Sequence, residues 1–409
     1  MEFWALTRMT WRNLWRNKRR TLITCLSVAC YTFVLIVLVG LIAGFSASSY
    51  YNITHVSHGD AQLHAPGFME DRSLYKTIEN PDVVLKEAAK AGVRAAKRGL
   101  GVGLVSVGKK SAGGSFIGVD SKLERDAFSL FEKVSKGEYL SIGGRGEVVL
   151  GSKLARSLHA SVGSEVIAVV QAADGSMGNE LFTVVGILES IAAEIDRGGL
   201  LVHKKDFDDL FMTHGKVHEL AFNSFGKMEA ADVVEALKPA SPDGDWSTWN
   251  ELLPAMSESL RMNEAFLTVI MFIFSLAASL GTMNTMLMAT YDRVQEFGVI
   301  RALGASPWRI IREVSYEAMI MGALACTFGA FLGVLGGTYL EVVGIDLSHY
   351  VDSKIDMAGV SIDMVWRAKV TWDQVVLSAS IVWAVCVLSS LYPALKASRL
   401  KPVTAMNHV

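Results

Sequence analysis

Four long runs without a charged residue constrain this chain more than any other feature of its sequence. They span Thr21 to Phe45, Ala265 to Tyr291, Ala318 to Leu340 and Gln374 to Leu395. A helix needs about 20 mostly apolar residues to cross a bilayer, so each run is long enough. The first run exceeds the apolar core of a signal peptide and ends without a clear small-x-small cleavage site. The sequence therefore predicts four transmembrane helices, the first of them uncleaved.

Basic residues predict the orientation of these helices. Arginine and lysine cluster before the first run, in the loop between the second and third, and after the fourth, whereas the loop between the third and fourth is acidic. Because cytoplasmic loops carry the excess of Lys and Arg, both termini are predicted to be cytoplasmic. The predicted segments are a cytoplasmic interfacial helix at 1–20, transmembrane helices at 21–45, 264–291, 314–341 and 373–395, an external domain at 46–262, a cytoplasmic loop at 292–313, an external loop at 342–372 and a cytoplasmic tail at 396–409.

The first 20 residues form a basic, tryptophan-rich segment. On a helical wheel three indoles fall on one side and three arginines form a neighbouring stripe, the pattern of a helix that lies at a lipid headgroup surface. These residues are Trp4, Trp11, Trp15, Arg8, Arg12 and Arg16. Membrane lipid is therefore an expected partner. A formal net charge of -2 for the whole chain gives no general reason to expect nucleic-acid binding.

Residues 46–262 differ from the rest in composition. Strand-like runs such as Val166–Val170 and Phe182–Leu188 alternate with helical patterns such as Pro81–Arg98 and Glu229–Leu237, which is typical of an α+β domain. All four cysteines, at 25, 30, 326 and 386, lie in the apolar runs, so no disulfide framework is available to this domain. The predicted fold class is an α-helical membrane protein with four transmembrane helices and a large α+β extracytoplasmic domain inserted between helices 1 and 2.

The stretch Glu296–Pro307 lies between two membrane runs and predicts a short helix, a break and a second helix. Gly304 suits the left-handed position after a helix end, Ser306 suits an N-cap, and Pro307 suits the first turn. On the first helix, Phe297, Ile300 and Leu303 are expected on one side. Such a helix cannot move without moving both neighbouring spans, so we expect force to enter the molecule here.

Motifs that would indicate chemistry in this chain are weak. Gly103–Lys110 approaches the phosphate-binding pattern G-x-x-x-x-G-K-[ST], but Lys110 stands where the magnesium-binding hydroxyl should be. Its valines and glycines suit a strand and turn instead. His55, His58 and His64 lack a cysteine or Glu-x-x-His partner for a metal site. We expect no catalytic, cofactor-binding or metal site.

The third apolar run carries three glycines at four-residue spacing. Gly329, Gly333 and Gly337 form a repeated small-xxx-small pattern, which lets membrane helices approach closely. These glycines are predicted to be helix-packing residues.

Several stretches together resemble MacB-like ABC transporter permeases, which include LolC, LolE and the more distant FtsX. The segment Glu296–Ala305 resembles the family pattern E-[IF]-G-[IV]-x-R-A-[LV]-G-A. Trp11–Thr21 resembles the start of the family, Glu147–Ala155 and Phe182–Leu188 resemble its periplasmic core domain, and Tyr392–Val403 resembles its C-terminal end. Together these stretches cover the length of the chain.

The resemblance implies a mechanism and partners. Two permeases, identical or paralogous, would pair in the bacterial inner membrane above a separate cytoplasmic ABC ATPase that binds ATP and Mg. A periplasmic chaperone or adaptor would receive the cargo. The ATPase-coupling residues would be Glu296, Phe297, Gly298, Val299, Arg301, Ala302, Leu303 and Gly304. Family geometry also implies a β-rich subdomain near 120–200 and a substrate cavity lined by Phe33, Val37, Leu41, Met283 and Met286.

The resemblance leaves the cargo open. We expect a mechanotransmission-type permease that extracts or exports a lipoprotein or another lipophilic or peptide molecule. The sequence does not distinguish MacB-like efflux from Lol-type lipoprotein release. The alternative is an FtsX-like signalling subunit that couples an ATPase to a periplasmic cell-wall hydrolase. The external domain, at about 215 residues, is large for that role.

Overall fold

The computed structural model describes residues 8, 10–12, 15, 18–347, 356–357, 360–361 and 365–399. The chain divides into two compact units. One comprises residues 1–47, 261–347 and 365–409, and the other comprises residues 48–260 and 348–364. Trp4, Arg16, the acidic residues Asp352 and Asp363, and the tail from Leu400 lie outside the described residues, so the predictions made for them stay predictions.

The helices of the described residues range from one turn to ten. In chain order they are α1 Lys18–Tyr51, α2 Phe68–Asp71, α3 Pro81–Lys90, α4 Ser121–Ala127, α5 Ser152–Leu158, α6 Ala193–Gly198, α7 Lys204–Phe211, α8 Ala230–Leu237, α9 Trp249–Leu252, α10 Pro254–Tyr291, α11 Val294–Ala302, α12 Pro307–Val342 and α13 Trp372–Ser398. A short π-helical segment, Asn52–Ser57, follows α1 directly.

Four of these helices, α1, α10, α12 and α13, are long and apolar enough to cross a membrane. Their ends differ from the predicted bounds because the helices continue past the charge-free runs. The second begins at Pro254 rather than at 264. The third begins at Pro307, so the last part of the predicted loop 292–313 is already helical. Apolar runs locate a bilayer span, whereas helix ends depend on capping and local packing.

The strands lie mostly in the unit of residues 48–260. They are β1 Ala61–His64, β2 Arg94–Val107, β3 Lys110–Val119, β4 Val134–Gly137, β5 Glu147–Leu150, β6 Glu165–Gln171, β7 Met177–Leu188, β8 Gly199–His203, β9 Glu219–Asn223, β10 Asp245–Thr248, β11 Ile345–Asp346, β12 Asp356–Met357, β13 Val360–Ser361 and β14 Val365–Trp366. The first ten form one sheet in the order β10-β1-β9-β2-β3-β8-β5-β7-β4, with β6 paired to β2 and β7.

The strands within residues 120–200, where the resemblance implies a β-rich subdomain, belong to the same sheet as the rest of the domain. These strands join the rest through β2 and β3, which pair along their length from Arg98 opposite Val119 to Val107 opposite Lys110. β2 also pairs with β9 along its first residues, 94–98, and with β6 further along, at residues 103–106. The helical pattern predicted for Pro81–Arg98 is likewise too long, because α3 ends at Lys90 and β2 begins at Arg94.

Alternating burial explains why these residues form a half-buried sheet. In β6, Val166, Ala168 and Val170 are buried while Glu165 and Gln171 are exposed, the period of two expected of a strand with one face on a core. The buried face packs against α5 and α7 in the largest apolar cluster. A second cluster forms where α3 and α8 cover β1 and β9.

Candidate functional site

The predicted helix–break–helix at Glu296–Pro307 is present in the structure. α11 ends at Ala302, and Gly304 follows with φ +92°, a left-handed conformation that glycine adopts without strain. Ser306 occupies the N-cap position of α12 with extended backbone, and Pro307 is in the first turn. The Ser306 hydroxyl makes no capping hydrogen bond. The break therefore depends on Gly304 and Pro307 rather than on a serine cap.

Arg293 joins the start of α11 to α12. Its guanidinium donates from Nη1 to Glu317 at 3.1 Å, from Nη2 to Glu313 at 2.6 Å and from Nε to Glu296 at 3.1 Å. The Arg293 side chain is 8% exposed, and its ring neighbour Phe297 lies 5.0 Å away. Because charge-assisted contacts in a desolvated setting are strong and directional, this arginine orients α11 against α12.

The opposite end of α11 is bound to α13. Arg301 donates from Nη1 to the backbone oxygen of Ser398 at 2.6 Å. Between the two arginines, Phe297 is 1% exposed and packs in an apolar cluster with residues of α12 and α13. The members of this cluster are Phe297, Ile310, Val314, Ala394 and Ala397. α11 is thus held at three points by the two membrane helices that follow it.

The outward face of α11 carries the exposed polar residues Gln295 and Glu296 beside the exposed apolar Val299 and Ala302, and apolar residues that follow the helix are exposed as well. Leu303 is 84% exposed, Trp308 is 75% exposed, and Val299 is also exposed. The sequence expectation that Leu303 shares a side with Phe297 is wrong. Six residues at about 100° each place Leu303 about 120° away from Phe297 on the wheel. Leu303 also lies past the helix end, where the chain turns at Gly304.

The eight predicted coupling residues therefore divide into two groups. Phe297, Gly298 and Arg301 face the helices of the same unit. The outward group is exposed and consists of Glu296, Val299, Ala302, Leu303 and Gly304. Sequence reasoning missed the Arg293 contacts. Two glutamates four residues apart at the start of an apolar run, Glu313 and Glu317, were the available signal, because an ionisable pair there calls for a partner.

The third apolar run packs closely against α1. A Cβ on Gly329 would lie 2.5 Å from the backbone oxygen of Ala29, and one on Gly333 would lie 3.0 Å from Ile36. A Cβ on Gly337 would instead lie 2.4 Å from Val370, ahead of α13. The three glycines thus lie where a side chain would collide with a neighbouring segment.

The five residues implied to line a substrate cavity lie in different surroundings. Met286 is 2% exposed and packs with Ala318 and Met321 of α12. Phe33 and Val37 lie against Gly336 of α12. Leu41 and Met283 are half-buried. Within this chain Met286 is a core residue, and the cavity assignment stays a prediction.

The stretch Gly103–Lys110 is a hairpin and not a phosphate-binding loop. Its residues form the end of β2, and Val107 pairs with Lys110 across a two-residue turn in which Gly108 has φ +57°. The chain then continues as β3, whereas a phosphate-binding loop opens a helix. Among the described residues, no group of three or more His, Cys, Asp or Glu side chains could hold a metal ion.

Two family descriptions match the chain. The MacB-like periplasmic core domain matches residues 21–236, more than half of the chain, and the FtsX-like permease C-terminal domain matches residues 268–402. The chain therefore belongs to the MacB/LolC/FtsX family of ABC transporter permeases. The predicted fold class is confirmed, with a periplasmic α+β domain between the first and second of four candidate membrane helices.

The chain is also similar to several known proteins and to solved structures. The chain is 22% identical to the lipoprotein-releasing system transmembrane protein LolC of Neisseria meningitidis, covering 95% of this chain and 94% of that protein. It is 26% identical to the macrolide export ATP-binding/permease protein MacB of Syntrophobacter fumaroxidans over 42% of this chain and 21% of that protein. Among solved structures, the periplasmic region of MacB from Actinobacillus actinomycetemcomitans has a TM-score of 0.36 at 13% identity, covering 48% of this chain and 91% of that one.

Proposed function

We propose that this chain is the permease subunit of a mechanotransmission-type ABC transporter driven by an ATPase on a separate polypeptide. The observation that carries the proposal is the two-sided environment of α11. Its inner face is bound to α12 and α13 through Arg293, Phe297 and Arg301, while Val299 on its outer face and Leu303 directly after its end are exposed. An exposed apolar patch beside exposed Glu296 suits a protein partner.

The proposal assigns the outer face of α11, together with Trp308, to a cytoplasmic ABC ATPase that binds ATP and Mg. The orientation with both termini in the cytoplasm of a bacterial inner membrane follows from the positive-inside pattern. Closure of the ATPase would shift α11 and, through its contacts, α12 and α13. α1 ends at Tyr51 and α10 begins at Pro254, so both helices extend into the residues of the periplasmic unit.

The cargo we propose is a lipoprotein taken from the outer leaflet of the inner membrane. The full-length similarity to a lipoprotein-releasing LolC protein favours this cargo over the partial similarity to a macrolide exporter. We further propose that two permease copies, identical or paralogous, form the transporter and that a periplasmic chaperone or adaptor accepts the cargo. The half-buried residues implied for the cavity, Phe33, Val37, Leu41 and Met283, would then face the second copy, whereas Met286 packs within the chain.

Leu303→Asp tests the docking surface. Leu303 is exposed and makes no contact that α11 needs for its own packing, so the variant is expected to fold and insert normally. Burying an unpaired carboxylate in an apolar contact is unfavourable, so binding of the ATPase should fall by about tenfold or more. Copurification with the ATPase and stimulation of ATP hydrolysis in proteoliposomes are the measurements.

The matched control is Ile142→Asp, which makes the same change at an exposed apolar position, 68% exposed, in the periplasmic domain. It should leave ATPase binding unchanged. Undiminished stimulation by Leu303→Asp would overturn the docking assignment. Arg301→Glu is a poorer test, because Arg301 is bonded to Ser398 within the chain and its loss would disturb α11 itself.

A further inference from the structure

The periplasmic domain contains a cavity of about 180 Å³ that the proposed transport mechanism leaves unexplained. Its polar end is formed by side chains of β1, β2 and β9, and its walls are apolar. The polar residues are Gln62, His64, Arg98 and Glu219, with His58 beside them. The apolar ones include Leu100, Val102, Ile117, Ile195 and Leu252. A mainly apolar pocket with a few convergent polar groups is the usual form of a small-molecule site.

The positive charge of Arg98 at the polar end is balanced by Glu124, which lies outside the cavity lining. Its guanidinium donates from Nη2 to Glu124 Oε1 at 2.6 Å and from Nε to Glu124 Oε2 at 3.3 Å, in a fork-to-fork pair. Both side chains are buried, at 8% and 2% exposure. Arg98 therefore presents no unbalanced positive charge to a ligand.

Glu219 supplies the excess negative charge. It accepts from Arg98 Nη1 at 2.9 Å through Oε1 and from His64 Nε2 at 3.3 Å through Oε2. Burial by itself would raise the pKa of Glu219, but the His64 hydrogen bond and the Arg98 charge lower the pKa to about 2. One guanidinium and two carboxylates leave a net charge of -1 on the group Arg98, Glu124 and Glu219. An anionic ligand would be repelled here.

One buried ring nitrogen at the same end of the cavity, His64 Nδ1, has no hydrogen-bond partner among the described residues. His64 is 1% exposed and stacks on Phe68 at 5.3 Å. Because a carboxylate only accepts, Nε2 of His64 donates to Glu219, and in the tautomer with a single N–H the other ring nitrogen, Nδ1, is an acceptor. A buried acceptor without a donor is costly, so a ligand that donates hydrogen bonds would be favoured.

The mouth of the cavity carries a self-contained ion pair. Arg72 Nη1 contacts Glu194 Oε1 at 2.5 Å, and both side chains are more than half exposed. The two charges cancel, so the mouth does not change the sign of the interior. An exposed pair of this kind contributes little to stability and can open at small cost.

We propose that this cavity binds a small amphipathic amine. The ammonium group donates to Glu219 and balances the net charge of the buried cluster, and the apolar body lies against Leu100, Ile117 and Ile195. An uncharged alcohol of the same shape would leave the cluster at -1. An anion of the same shape would add a second negative charge.

The test uses the full-length chain in detergent at pH 7, without ATP or a partner ATPase, so its outcome is independent of the proposed transport function. Three probes with a similar phenyl body are compared by titration calorimetry: 2-phenylethylamine, 2-phenylethanol and phenylacetate. The amine is expected to bind about tenfold more tightly than the alcohol, the worth of a hydrogen bond to a charged group. Phenylacetate is expected to show no saturable binding.

Two tryptophan variants separate the cavity from binding to detergent or to the surface. Val102 lines the cavity and is 75% exposed, so Val102→Trp introduces an indole at the cavity wall. Leu104, two residues further along β2, is 61% exposed and does not line the cavity, so Leu104→Trp is the matched control. Val102→Trp should abolish amine binding, and Leu104→Trp should preserve it. Equal affinity for the three probes, or unchanged amine binding by Val102→Trp, would overturn the proposal.

Glu219→Gln examines the charge directly. The amide keeps the shape of the side chain but removes its charge, so the preference for the amine over the alcohol should fall to about unity. Should this variant fail to fold, the Val102→Trp and Leu104→Trp pair still decides whether the cavity binds. A folded Glu219→Gln protein that retains the tenfold preference would contradict the role of Glu219.

Discussion

Arg293 and Leu303 lie in the same short segment but in opposite environments. The Arg293 side chain is 8% exposed and bonded to three glutamates, whereas Leu303 is 84% exposed. A buried charge is costly unless it is paired, and an exposed leucine can bury its apolar side chain against a partner. At the scale of single residues, these two positions distinguish the internal contacts of α11 from its docking face.

Removing the Arg293 charge should destabilise the membrane unit. Arg293→Met keeps much of the side-chain length but leaves Glu313 and Glu317 without this cation, at a cost of about 3 kcal/mol. The thermal unfolding midpoint of the purified chain should fall accordingly. Arg309→Met is the control, because Arg309 lies on the same helix α12 and is exposed. Equal midpoints for the two variants would mean that Arg293 does not hold α11 in place.

Glu219 should make the periplasmic domain sensitive to acid. Its folded-state pKa is lowered to about 2 from an ordinary 4.5, so its contribution is complete above pH 4.5 and is lost as the pH falls toward 2. The shift corresponds to a contribution on the order of 3 kcal/mol. Thermal unfolding measured between pH 5 and pH 2 should show a steeper loss for the natural chain than for Glu219→Gln. Parallel curves would rule out this carboxylate as the source.

At the scale of elements, the contact between α1 and α12 is sterically restricted at two glycines. A Cβ at Gly329 would meet the backbone of Ala29, and backbone cannot rotate away as a side chain can. At Gly333 the neighbour is the Ile36 side chain, at 3.0 Å, which can shift by a few tenths of an ångström. The two glycines have the same spacing pattern, yet the structure gives them different tolerance.

Gly329→Ala should therefore destabilise the chain more than Gly333→Ala. Overpacking of this kind costs about 1–3 kcal/mol. The thermal unfolding midpoint is expected to be lowest for Gly329→Ala, higher for Gly333→Ala and highest for the natural chain. Gly281→Ala on α10 is the matched control, since a Cβ there meets nothing within 4 Å. Its midpoint should be unchanged or slightly raised. A Gly329→Ala protein as stable as the Gly281→Ala protein would show that α1 does not need this close approach.

At the scale of the whole molecule, copurification tests the cargo proposed for this ABC transporter permease. Chain isolated with its native partners from membranes is expected to carry an acylated lipoprotein, detectable by mass spectrometry of the copurified material. The Leu303→Asp variant should lose the ATPase from the copurified material, whereas Ile142→Asp should resemble the natural chain. Recovery of an adaptor protein without any lipoprotein would replace lipoprotein release by efflux.

Much of the architecture could be predicted because it depends on local sequence. Whether a segment crosses a bilayer is decided by about 20 neighbouring residues, so the four membrane helices follow from composition alone. The left-handed Gly304 and the following Pro307 likewise mark the break between α11 and α12 by their own backbone preferences. The register of the ten-stranded sheet could not be predicted, because β1 pairs with β9 and β10, more than 150 residues along the chain.

The sequence by itself determined that this chain is a four-helix membrane protein with an inserted α+β domain and a short helix between its second and third spans. Only the tertiary structure decided which side of that helix faces inward, that Arg293 meets Glu313 and Glu317, and that Arg98, Glu124, His64 and Glu219 converge beside a cavity. The physical reason is the range of the interactions. Membrane insertion and turns depend on neighbouring residues, whereas buried charges are stabilised by partners from distant parts of the chain.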